Sequence, residues 1–206
     1  MRIVQVAPFY YPVLGGVEKI VKNLSEYLHN NGFVVYVVTF NRNREKLSIF
    51  KEHEEINGVK VIRVKPNFAW SHGTYSKEIY NVVKTLDPDI LHLHVWRHPY
   101  VFQLSKINSV RILQPHSPFY SLKQSGIITY IYYTLVDNFL GHFIKEYNLI
   151  AITPLERDIL YKKFRASSEL IPNGVDDELF SMKSEGDEFY LYIRKNKQRE
   201  KYNENA

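Results

Sequence analysis

Apolar positions along this chain follow two spacings that take turns. Ile3–Ala7 is an apolar run of strand length, and Val34–Phe40 is almost wholly apolar, rich in β-branched and aromatic residues, the pattern of a strand buried on both faces of a sheet. Between them Val17, Ile20, Val21, Leu24 and Leu28 recur every three or four residues, which puts them on one face of a helix. Asn30-Asn31-Gly32 ends that helix as a left-handed cap. The charged stretch Asn41–Glu55 reads as loop, Asn57-Gly58 as a tight turn, and Val59–Val64 as an alternating strand. A loop carrying Pro66, Trp70 and Gly73 precedes a helix predicted over Ser76–Leu86, which Asp87-Pro88-Asp89 breaks. Strands are predicted at Ile90–His94, Ile112–Gln114, Leu149–Ile152 and Leu170–Ile171. Ile127–Tyr147 reads as one long helix. Thr153-Pro154-Leu155-Glu156 has the form of a capping box with proline at the first helical position, opening a helix to Phe164.

Strand-length runs alternating with helical segments predict an α/β domain, a mostly parallel sheet with helices on both faces. At 206 residues and 45% hydrophobic content the chain can bury one substantial core. From Ser181 onward polar residues dominate, with Phe189–Ile193 the one further strand pattern. The absence of cysteine removes a disulfide framework, a thiolate zinc site and a cysteine nucleophile, and it fits a cytoplasmic location. The apolar start is strand-length and runs into Pro8 and Pro12, unlike a signal peptide, and Asp137, Asn138 and His142 interrupt the longest apolar stretch, so no spanning helix is predicted. A net charge of +5 is scattered among carboxylates, concentrated locally only at Arg194, Lys195, Lys197, Arg199 and Lys201. No nucleic-acid motif accompanies it, and no nucleic-acid partner is expected.

Chemistry concentrates at strand ends. Gly15-Gly16 lies between the first strand and the first helix, where free backbone N–H groups and the helix dipole suit an anion; a plain turn is the competing reading. His92 and His94 alternate on one strand and share a face. Lacking a third ligand at useful spacing, they read as hydrogen-bonded histidines at the ligand-binding edge of a parallel sheet rather than as a metal site. In Gln114-Pro115-His116-Ser117-Pro118 the flanking prolines hold His116 in a stiff turn at that edge, which makes it the leading candidate; a turn histidine facing water is the alternative. Ser117 lacks the G-x-S-x-G surroundings of an activated nucleophile. The Tyr- and Phe-rich helix reads as core on one face, with a composition that also suits a lipid headgroup layer or an acceptor groove.

In chain order these pieces resemble the N-terminal domain of family 4 glycosyltransferases over residues 1–180. The carriers are MRIVQVAPFYYPVLGGVEKIVKNLSEYLHNNGFVVYVVT, INGVKVIRV, DPDILHLH, QPHSPFY, ITPLERDILYKKF and LIPNGVDDELF. The resemblance implies one Rossmann-like half of a GT-B fold, the acceptor-side domain of a retaining enzyme. Such an enzyme moves a sugar from a sugar nucleotide to a glycan, lipid or small-molecule acceptor without bound metal or cofactor. It places Gly15 and Gly16 against the donor diphosphate or the reacting sugar and His116, the expected catalytic residue, against the transferred sugar. His94, Ser117 and Asn173 complete the expected substrate-binding set. Residues 181–206 are expected to be a linker or the truncated start of the donor-binding domain, whose basic pair and Glu-x7-Glu element are missing, so this chain alone is expected to be inactive. A chain cut at the domain boundary, a truncated gene product and a natural half-protein all accord with that. The competing functional reading is a non-catalytic glycan- or lipid-binding module, with a peripheral membrane contact in its scope. A dehydrogenase is disfavoured, because no third glycine is present and Thr39-Phe40-Asn41 ends the second strand without an acidic residue.

Overall fold

A computed structural model describes residues 1–47, 49–70, 73–116 and 126–174. Among these, one sheet is built from β1 (Arg2–Val6), β2 (Val34–Phe40), β3 (His53–Ile56), β4 (Val59–Val64), β7 (Ile90–His94), β8 (Val110–Gln114), β9 (Asn148–Ala151) and β10 (Ser168–Leu170). Its eight strands lie in the order β10-β9-β8-β7-β1-β2-β4-β3. All neighbours pair in parallel except β3, which runs antiparallel to β4 at the edge. A separate hairpin, β5 (Phe68–Trp70) and β6 (Gly73–Tyr75), follows β4. The protein therefore has the Rossmann-like α/β architecture its periodicity predicts.

Alternation along the central strands sends successive side chains to two cores. Val4, Val6, Leu91, Leu93 and Leu113 pack on one face beneath α2 (Ile79–Leu86), α3 (Tyr100–Gln103) and α5 (Pro154–Phe164). On the other face Ala7, Val35, Val37, Val59 and Val61 meet Val17, Val21 and Leu28 of α1 (Gly16–Asn30). A clean 3.6-residue stripe explains why α1 forms where predicted. Gly32 takes the left-handed conformation (φ 85°) that ends it.

Three local expectations are revised. The loop over Asn41–Glu55 contains β3, an edge strand whose His53-Glu54-Glu55 face is too polar to read as one; the predicted Asn57-Gly58 turn, with φ 50° and 81°, joins it to β4. The Trp70 loop folds into the β5–β6 hairpin. The long aromatic helix is α4 (Ile127–Leu140), followed by a 3₁₀ turn at Ile144–Glu146, and Tyr147 is already extended. The capping box is present: Glu156 N–H donates to Thr153 Oγ1 at 3.1 Å, and Ile152 N–H donates to Glu156 Oε2 at 2.7 Å.

Candidate functional site

The chain leaves β1 for β2 and β4 on one side and returns through β7 on the other, so strand order reverses between β1 and β7. Ligands of open α/β sheets bind at the carboxyl edge of such a switch point. Here that edge carries Gly15-Gly16 after β1, His94 at the end of β7, and Gln114, Pro115 and His116 at the end of β8. Two non-glycine residues at this edge hold left-handed backbone, Val95 (φ 68°) and His116 (φ 50°). For a β-branched residue this conformation is strained, and such strain clusters at functional sites.

Alternation turns His92 and His94 to the α1 side, their rings 4.1 Å apart. His94 is fully buried and bridges two partners: Nε2 lies 2.8 Å from Gln5 Oε1 and Nδ1 lies 3.1 Å from His116 Nε2. The chain continues through Gln5 Nε2, which donates to Ser25 Oγ at 2.8 Å, and Ser25, whose hydroxyl donates to the Val21 carbonyl at 2.7 Å. Proton positions follow from the far end. Ser25 spends its one hydrogen on Val21, so it accepts from the Gln5 amide N–H, which turns the Gln5 oxygen toward His94. His94 must then carry its proton on Nε2 and accept at Nδ1 from His116 Nε2–H. A neutral His116 is left with Nδ1 as a hydrogen-bond acceptor, oriented by a five-residue chain rooted in α1.

Electrostatics keep these rings neutral. Burial pulls His92 down to about 3, with nearby His116 adding to the effect and a Gln114 hydrogen bond opposing it. Burial also lowers His94 well below its ordinary value, helped by His92 and His116, and it lowers His116 to about 4. Asn173 reaches the same edge, where its Oδ1 accepts from Gln114 Nε2 at 3.2 Å.

The glycine pair divides into two environments. A Cβ on Gly15 would run into the carboxylate of Glu18 and the guanidinium of Arg44, whereas Gly16 has open space where a Cβ would point. Glu18, in the first turn of α1, is held by Arg44 at 3.2 Å. The open approach to the helix N-terminus is therefore over Gly16. Ser117 lies outside the described residues. His116, His94, Gly15, Gly16 and Asn173 all belong to the carboxyl edge. Sequence reasoning missed Gln5 and Ser25, whose only signal was a polar residue inside an apolar strand and another on the buried stripe of α1.

Beyond this edge lies an apolar groove of about 310 Å³, lined by Trp70, Pro99, Phe102, Tyr132, Leu135 and Phe139 among others. Trp70 Nε1 donates to Tyr132 Oη at 2.7 Å, tying the hairpin to α4.

A family model described as Glycosyltransferase Family 4 matches residues 14–179. Among solved structures, a sucrose-phosphate synthase from Thermosynechococcus elongatus aligns with a TM-score of 0.58 at 17% identity, covering 86% of this chain and 49% of that one. A second structure of sucrose-phosphate synthase from that organism aligns with a TM-score of 0.57 at 14% identity, covering 88% of this chain and 93% of that one. Identities this low bear on the fold alone. The chain spans about half the length (49%) of the first of these structures. No curated protein matches it.

Proposed function

The chain belongs to glycosyltransferase family 4, and from that premise we propose that residues 1–180 are the acceptor-side domain of a retaining glycosyltransferase using a sugar nucleotide. In this reading residues 181–206 are a linker or the start of a donor-binding domain, and turnover requires that domain in cis or in trans. The observation that carries the reading is the directed hydrogen-bond chain ending on His116. It leaves Nδ1 of a neutral imidazole as an acceptor for a hydroxyl of the transferred sugar or of the acceptor, at the edge where α/β folds take ligands. The donor diphosphate approaches over Gly16, where backbone N–H groups and the α1 dipole favour negative charge. Stabilising the departing diphosphate further is left to the basic side chains of the other domain, a matter of electrostatic preorganisation. Ser117 and Asn173 are assigned to the substrate side of the same edge.

The test is release of nucleoside diphosphate from a panel of sugar nucleotides. The 206-residue chain alone is expected to give none above spontaneous hydrolysis, and fusion to a family donor-binding domain is expected to restore it. Transfer by the isolated chain would overturn the requirement for a second domain.

A contact with a lipid surface belongs to the same proposal, because α4 turns much of its apolar surface outward. Ile127 is 66% exposed, Ile128 82% and Leu135 65%, whereas only Asp137 and Leu140 of this helix are buried. Periodicity favours core packing for this stripe; the exposure of most of the helix points instead to a ligand or lipid face. Among the described residues no helix is long and apolar enough to cross a membrane. Co-sedimentation with phosphatidylglycerol-containing vesicles is expected for the wild-type chain and is expected to drop roughly fivefold or more in Ile128→Asp, which removes an apolar side chain from the exposed face. Equal sedimentation of the two proteins would remove the lipid contact from the reading. The chain is assigned to the cytoplasm, at the membrane periphery.

A further inference from the structure

Three connections wall the apolar groove: the β5–β6 hairpin follows β4, Arg97–Phe102 follow β7, and α4 follows β8. All three start from the sheet end that carries His116. Trp70 forms the hairpin side. Gly73 stands opposite it, and a Cβ there would run into the indole, so the missing side chain is what lets Trp70 lie across the hairpin. Phe102 and Phe139 meet edge to face at 5.6 Å, and the buried Leu140 lines the groove beside them.

Polar groups in this lining already have partners. Trp70 Nε1 is spent on Tyr132 Oη, and Arg97 directs Nε and Nη2 to Asp137. The Pro99 carbonyl accepts from the Phe102 and Gln103 N–H groups at 3.1 and 3.2 Å, and α4 uses its interior backbone groups within the helix. An extended peptide laid here brings an N–H and a C=O at every residue and finds no partner for them, which is costly. A hydrocarbon chain brings neither. The approach is apolar as well. Ile128, Ile131, Leu135 and Phe139 recur at three- and four-residue spacing on α4, all exposed. Leu135 and Phe139 line the groove and the two isoleucines lie beyond it, so the stripe leads from the outward face of α4 into the groove. The groove's volume of about 310 Å³ stands at the lower end of the roughly 300–1,000 Å³ usual for ligand pockets.

We propose that this groove binds a single hydrocarbon chain, that of a lipid-borne acceptor, whose head group then faces the sheet end where His116 stands. Assignment to the acceptor rests on the proposed function, whereas the hydrocarbon site itself is tested without turnover and without vesicles. Burial of each methylene tightens binding about fourfold, so affinity grades with chain length and owes little to the head group.

The probe is a dibrominated undecanoyl maltoside, added to the full-length protein below its micelle-forming concentration; its bromines quench tryptophan fluorescence on contact. The protein has two tryptophans and Trp96 is fully buried, so quenching reports Trp70. Saturable quenching is expected in the wild type. Leu135→Glu, which sets a charge in the groove wall from an exposed position, is expected to weaken the affinity roughly tenfold or more. Ile128→Asp, on the same stripe but outside the groove, is expected to leave it unchanged, and maltose is expected not to displace the probe. No saturable quenching, equal affinity in the wild type and Leu135→Glu, equal loss in Ile128→Asp, or displacement by maltose overturns the site. A wild-type dimer in analytical ultracentrifugation that Leu135→Glu dissolves would give the groove to a second copy of the protein and overturn it as well. Intact quenching in a protein that fails to sediment with vesicles, or in a donor-domain fusion that fails to turn over, supports the hydrocarbon site and counts only against the proposed function.

Discussion

Acidification from pH 7.5 to 5 is expected to unfold the domain at a temperature where it is stable at neutral pH. Three buried histidines and the half-buried His116 have folded values far below the unfolded value near 6.5: burial takes His92 and His98 to about 3, His116 to about 4, and His94 well below its ordinary range. At pH 7.5 both states are almost wholly neutral at these positions and the histidines make little difference; near 6.5 the unfolded chain is already taking up protons. Between 6.5 and the folded values the unfolded chain binds more protons, so the free energy of unfolding falls as pH falls. At pH 5 His92, His98 and His116 have each removed about 2 kcal/mol, with His94 acting in the same direction, against a typical total of roughly 5–15 kcal/mol. Urea unfolding followed by circular dichroism at pH 7.5, 6.5 and 5.5 should show the midpoint dropping at each step. A midpoint unchanged across that range would contradict the burial of neutral imidazoles. Nitrogen-15 spectra of the histidine rings add an orientation test. At pH 7.5 His116 should read as the Nε2-protonated tautomer, and Gln5→Leu should weaken that preference. A pure Nδ1-protonated His116 in the wild type would overturn the directed chain from Val21.

Loss of the Asp137 carboxylate is the second large effect. Asp137 of α4 is buried, accepts from Arg97 Nε at 2.7 Å and Nη2 at 3.1 Å, and is also bonded to Lys163 of α5. One carboxylate thus ties α4 to the loop after β7 and to α5. Asp137→Ala takes the counter-charge from a buried arginine, which costs about 3–5 kcal/mol in such pairs. In a domain of this size that lowers Tm by roughly 6–20 °C. Lys163→Ala should cost far less, because the lysine side chain is 38% exposed and Asp137 keeps its two bonds from Arg97. Thermal melts of the two variants decide the matter; an Asp137→Ala melt as mild as that of Lys163→Ala would mean that the ion pair contributes little.

The architecture was legible in the sequence because its signals are local. β7 appears at Ile90–His94 as predicted and α1 between Gly15 and Gly32, since a run of β-branched residues or a 3.6-residue stripe specifies an element from within. Misreadings came where composition and burial part company. His53–Ile56 is a strand with polar outward faces, which an edge position tolerates. The apolar run from Ile127 to Tyr147 looks continuous although the helix stops at Leu140, because Ile144 and Tyr147 beyond the break are buried as well.

Candidate site residues were legible to the extent that strand order could be guessed. Prolines around His116 and the i, i+2 spacing of His92 and His94 marked the edge, but nothing near them in sequence pointed to Gln5 or Ser25. The sequence by itself determined which segments become strands and helices, and that His116 stands in a stiff turn at a strand end, because periodicity and proline act over a few residues. Only the tertiary structure decided which nitrogen of His116 is left as an acceptor. That property depends on residues 5, 25, 94 and 116 being brought together by a sheet whose strand order reverses between β1 and β7.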